Sequence, residues 1–114
     1  VIQLPIGSFV ASNGANNNIA LPNKSFIRIT LVDPDSEAAF SISGIAKPDN
    51  PDGRVVILYN TTSQHMTITN DATSTAANRI LTNTGADVVT TGTGIVSLIY
   101  SVTDARWILL TSLL

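Results

Sequence analysis

Residues 54–60 read RVVILYN, with five consecutive apolar or aromatic side chains between Arg54 and Asn60. Successive side chains on an extended strand point to opposite faces. Val55, Ile57 and Tyr59 therefore share one face, and Val56 and Leu58 the other. RWILLTSLL at 106–114 repeats the feature, with Ile108 and Leu110 opposite Trp107, Leu109 and Leu113. In an antiparallel sandwich a strand packs one face on the core and leaves the other to water. One domain of 114 residues has too little interior to bury both faces of two strands. The second face calls for a partner. A neighbour covering about 800 Å² of it, mostly apolar, would contribute on the order of 20 kcal/mol before association costs. The alternative is that the N-terminal segment covers one of the strands.

Strand-like runs continue in both directions from there. SFIRITLV at 25–32 alternates, with Ile27, Ile29 and Leu31 on one face. AFSIS at 39–43 alternates again, as does HMTIT at 65–69, with Met66 and Ile68 inward and His65, Thr67 and Thr69 outward. IVSLIYSV at 95–102 pairs with the 106–114 run as a hairpin through Thr103-Asp104-Ala105. Val1 to Ile6 is a first strand-like run, broken by Pro5 and Gly7. SNGANNN at 12–18 and KPDNPDG at 47–53 are loops, and DPDSE at 33–37 is a turn with Asp33 as cap and Pro34 in the first position. TSTAAN at 73–78 is the one short helical candidate. Turn signals spaced about 8–12 residues apart suit a sandwich or barrel, and no repeat of fixed period argues for a solenoid. The expectation is a single all-β domain over 1–114, an antiparallel β-sandwich.

Composition agrees. Charged residues make up 12% of the chain, about half the usual quarter, and Thr, Asn and Ser take their place. Thr favours strands, while Asn and Ser favour turns. A net charge of −2 supplies no basic field for nucleic acid or an anionic membrane surface. No apolar run approaches the roughly 18 residues of a membrane helix. The absence of cysteine removes disulfides and thiolate chemistry. Because the chain opens on Val1 rather than Met, it reads as a fragment or processed part of a longer one.

Nothing in the sequence assembles a catalytic set. GTGIVS at 92–97 starts like a dinucleotide fingerprint, but Ser97 replaces the third glycine and a strand follows where a helix is needed. Its glycines read as turn positions with positive φ. Asp33, Asp35 and Glu37 alternate like the start of a calcium loop, yet Ala38 and Gly44 stand at its glycine and glutamate positions. No metal or cofactor is expected. His65 is the sole histidine and reads as an exposed strand-end residue, although a three-fold axis would bring three copies together. Trp107 and Tyr100 lie inside apolar strands, which favours packing over sugar stacking. Asn23-Lys24-Ser25 and Asn60-Thr61-Thr62 match the glycosylation acceptor pattern, as chance allows in a chain this rich in Asn, Thr and Ser.

From Gly53 to Trp107 the chain carries GRVVILYNTT, MTITND, NRILTNTGADV, a Gly-Thr loop, SLIYS and ARW. This order of strands and turns, about half the chain, resembles the C-terminal head or tip domains of tailed-bacteriophage fibres and tail spikes. The resemblance implies a jelly-roll-like β-sandwich head that assembles as a homotrimer. It implies a non-enzymatic virion component, outside the cell, that binds a host-surface receptor, commonly a saccharide, and meets other virion proteins through its N-terminal side. Neither nucleic acid nor membrane insertion belongs to that picture. Loop position and side-chain chemistry make Asp49, Asn50, Asp52, Asn60 and His65 the candidate receptor contacts. Asp87 is placed to cap the Thr84–Asp87 turn or pair with Arg79. The alternatives are a structural virion part, such as a capsid decoration or head-fibre domain, and a non-viral carbohydrate-binding module.

Overall fold

The computed structural model describes residues 1–33 and 35–113. Along the chain run β1 (Ile6–Ala11), β2 (Gly14–Asn16), β3 (Phe26–Leu31), β4 (Phe40–Ile42) and β5 (Val55–Asn60). Then follow β6 (Met66–Ile68), a 3-10 turn (Ala76–Asn78), β7 (Ile80–Leu81), β8 (Val88–Thr90), β9 (Ile95–Ser101) and β10 (Arg106–Leu113). They form a six-stranded sheet in the order β1-β3-β5-β9-β10-β7 and a four-stranded sheet in the order β2-β4-β6-β8. The all-β architecture is as expected, and the two sheets enclose one core. The thin 22 Å dimension of the molecule is what two sheets about 10 Å apart fill with their outer side chains.

Strand direction departs from expectation. Both sheets are mixed, and five of the eight strand pairings among the described residues are parallel. The cause is the path of the chain. From β1 to β6 each strand is followed by one in the other sheet, so strands two apart lie side by side and run the same way. The result is three coil-like turns, the organisation that the lack of an evident repeat had argued against. Positions 14, 40 and 66 stack in register, each 26 residues after the last, and Ile19 bridges Ile45 at the same offset. The antiparallel pairings all involve the last third, where β9 joins β5 to β10 and β8 joins β6, while β7 lies parallel to β10. The β9–β10 hairpin is the one expected, turning through Ala105 at φ 51° with Ser101 Oγ donating to Asp104 Oδ2.

Alternation fixes which side chains face in. Ile27, Ile29, Leu31, Val56, Leu58, Val96 and Leu98 come from the large sheet, and Phe40, Ile42, Met66 and Ile68 from the small one, all buried. Trp107 and Tyr100 pack edge to face at 5.2 Å in the same core, the packing role expected for them. Locally, several expectations change. The first strand is Ile6–Ala11 rather than Val1–Ile6, and the 12–18 loop holds β2. At 92–94 the positive φ falls on Thr93 instead of the glycines. Gly92 is needed for closeness, since a Cβ there would lie 2.9 Å from the Ser63 backbone. Arg79 pairs with Asp71, 3.9 Å away, rather than with Asp87, whose carboxylate accepts from the Asn70 N–H at 2.8 Å. Asp33 accepts from the Asp35 N–H as a turn cap; the Pro34 expectation lies outside the described residues.

Candidate functional site

Two features stand out once the fold is laid down: an open apolar sheet face and a cavity between loops. The outer face of the large sheet can be read row by row from its register. One row runs Val55–Ile99–Ile108–Leu81, and the next Ile6–Phe26–Ile57–Ser97–Thr111. Val55 and Ile6 are exposed, and Ile57, Tyr59, Ile95, Ile99, Ile108 and Leu81 are half-buried. Charge on this face comes from Arg28, stacked over Tyr59 at 5.5 Å, and Arg106, paired with Asp71 at 2.8 Å. The small sheet contrasts with it, its outer row being Ala15–Ser41–Thr67–Val89. Val1, Ile2 and Leu4 are too exposed to be the cover suggested as an alternative for the apolar strands. The side chain of Leu113 lies outside the described residues.

The cavity, about 350 Å³, opens where the β2–β3 and β4–β5 loops meet the start of β5. Backbone bonds from Ile19 N–H to Gly44 O at 3.0 Å and from Ala46 N–H to Ile19 O at 2.8 Å lay the two loops side by side. Ile45, Val56 and Trp107 form the inner lining, with Leu21 at the side. Trp107 is 1% exposed and donates its indole N–H to the Ile45 carbonyl at 3.0 Å. The rim is polar: Asn23 and Lys24 from one loop, Asp49 and Asn50 from the other, and Arg54 at the foot of β5. Arg54 ties the loops together by donating to the Asp49 carbonyl oxygen at 3.3 Å and to Asn23 Oδ1.

The five expected contacts divide. Asp49 and Asn50 line this cavity, Asn50 at φ 47°. Asp52, on the same loop, accepts from the Val102 N–H at 3.0 Å and fastens the loop to the β9–β10 turn. Asn60 is fully buried at the opposite end of β5. Its side-chain Oδ1 accepts from the N–H and hydroxyl of Thr62, and its Nδ2 donates to Gln64 O at 2.8 Å. That bonding makes Asn60 a turn residue instead of a surface contact, and hides its acceptor sequence from modification. His65 is exposed just before β6, and its carbonyl accepts from the Phe40 N–H. Asn23, Lys24 and Arg54 were not picked out from the sequence. The Ile19–Ile45 bridge, the β3–β5 pairing and the Arg54 bonds bring them together with residues 49 and 50, and no local motif announces those long-range contacts.

Among the described residues, no three His, Asp or Glu side chains gather as a metal site would require. No family model, curated protein or solved structure matches this chain.

Proposed function

We propose that this domain is a virion head module of the phage fibre or tail-spike kind, a homotrimer that binds a host-surface saccharide through loops at one end. The observation that carries the reading is the outer face of the large sheet, where Val55, Ile57, Ile95, Ile99 and Ile108 stand in register with little charge among them. Large exposed apolar patches on soluble proteins mark interaction surfaces. A second copy is the economical cover, because the same patch on each subunit can meet its neighbours around an axis. The rimmed cavity supplies the recognition half of the reading, with amide, carboxylate and cationic groups set around an apolar interior. A jelly roll is built from antiparallel strands, so the mostly parallel pairing here supports a sandwich head with coil-like winding in preference to that connectivity.

The test is binding of the purified domain to host cells and to a glycan array, with Asp49→Ala/Asn50→Ala as the control. Loss of saturable binding in the double variant is expected. Association with virus particles and no binding to cells or glycans would favour a structural virion part instead.

A further inference from the structure

The cations of the cavity point to the chemical class of its ligand. Of the arginines and lysines among the described residues, Arg79 and Arg106 have a carboxylate within 4.0 Å, and both share Asp71. Arg28 rests on Tyr59. Lys24, Lys47 and Arg54 have no such partner among the described residues, and two of the three, Lys24 and Arg54, line one cavity. Arg54 is positioned by neutral acceptors, the Asp49 carbonyl and Asn23 Oδ1, which orient the guanidinium without neutralising it. The stem of Lys24 lies over Gly7, where a Cβ would come within 2.8 Å of Lys24 Cγ. Arg54 is thus fixed, and Lys24, exposed beyond its packed stem, stands at the rim of the same space of about 350 Å³, at the small end of ligand cavities and suited to one sugar ring.

We infer that this cavity binds a hexuronic acid unit of an acidic polysaccharide, an inference that rests on the saccharide reading above. The ligand carboxylate meets Arg54 and Lys24, since a planar guanidinium matches a carboxylate in two parallel bonds. Ring hydroxyls meet the Asn50 amide and the Asp49 carboxylate, and the ring's apolar face lies toward Leu21 and Val56. A neutral sugar would leave the two cations unused. A phosphate or sulfate would engage them but offers no ring hydroxyls for the Asp49 carboxylate to accept from and no apolar face for Leu21 and Val56.

The experiment is titration of the ¹⁵N-labelled full chain with a galacturonic acid trimer and a glucuronate-containing tetrasaccharide, each beside its methyl ester, and with inorganic phosphate. Shifts confined to the cavity lining, Leu21, Asn23, Lys24, Asp49, Asn50, Arg54 and Val56 among it, are expected, with the methyl esters at least tenfold weaker. Lys24→Gln should lose about tenfold in affinity at an unchanged global spectrum, since the Lys24 side chain makes no hydrogen bond among the described residues, and Arg54→Gln should lose at least as much, with spectral changes in the free protein confined to the two loops that Arg54 joins. Equal binding of acid and ester, or binding of neutral glycans alone, overturns the acidic class while leaving the saccharide reading intact. Phosphate producing the same shifts at the same concentration overturns it in favour of a general anion site. No binding of any glycan, together with no adsorption to cells, overturns both.

Discussion

Gly44 sits where the β4 coil turns against the 3-10 segment, and a Cβ there would lie 2.6 Å from the Asn78 carbonyl oxygen and the Ser74 side chain. Gly44→Ala should therefore destabilise the domain by about 2 kcal/mol, the cost of overpacking a site that cannot give way, read from the urea midpoint. Beside it a buried seam is closed by hydroxyls and amides. Ser43 Oγ meets Ser74 Oγ at 2.6 Å, and Asn16 bonds Ser12, Gly14 and Ser41. Asn60→Ala would strand the Thr62 donors in the interior, at a cost of about 1–3 kcal/mol, and should leave glycan binding unchanged. Burial pushes the Tyr100 phenol above its ordinary pKa of 10.0, and nearby Arg106 pulls it back in part. The folded state thus favours the protonated phenol. That contribution is complete below the unfolded pKa and fades as pH rises through the folded one. A 295 nm titration should place its midpoint above 10.0, with the denaturation midpoint falling over the same alkaline range. At this scale the sequence is a poor guide. Asn60 and Asn50 are the same residue type in turn-rich stretches, and burial alone separates a turn lock from a cavity wall.

The strands were largely legible because alternation is a local signal. SFIRITLV, HMTIT and IVSLIYSV each show inward and outward residues without reference to any partner. Direction of pairing is not local. It depends on whether the next strand returns to the same sheet or passes to the other, and a strand's alternation is the same either way. The coil hid for a related reason. Stacked positions need matching orientation, not matching identity, so Gly14, Phe40 and Met66 occupy one register with no resemblance between them. Connections of unequal length blur the rest, since β1 to β3 advances 20 residues (6 to 26) and β3 to β5 advances 31 (26 to 57). The two-faced character of β5 was legible, and it yields a prediction at this scale. Ile99 lies between Val55 and Ile108 on the outer face. Ile99→Lys should shift the native mass toward that of one chain and leave the far-ultraviolet circular dichroism unaltered. Thr67→Lys, on the small sheet's outer row, should change neither.

For the molecule as a whole, the two sheets present unlike faces to their surroundings. The small sheet's outer row is Ala, Ser, Thr and Val, whereas the large sheet's outer face carries Val, Ile, Phe, Tyr and Leu interspersed with Ser97, Thr111, Arg28 and Arg106. Half the candidate site was legible as well, through the Pro- and Asp-rich loop that carries Asp49 and Asn50. Its partners Asn23 and Lys24 arrive from a stretch 25 or more residues upstream, through the Ile19–Ile45 bridge and the β3–β5 pairing. No local pattern encodes that encounter. Under the proposed function, assembly would cover the apolar face and leave the loops for recognition. The measurement that bears on it most directly is the native mass by light scattering, with and without mild detergent. The account predicts three times the 12.0 kDa chain mass, persisting in detergent. A monomer at all concentrations, with the large sheet's outer face open to solvent, would contradict it.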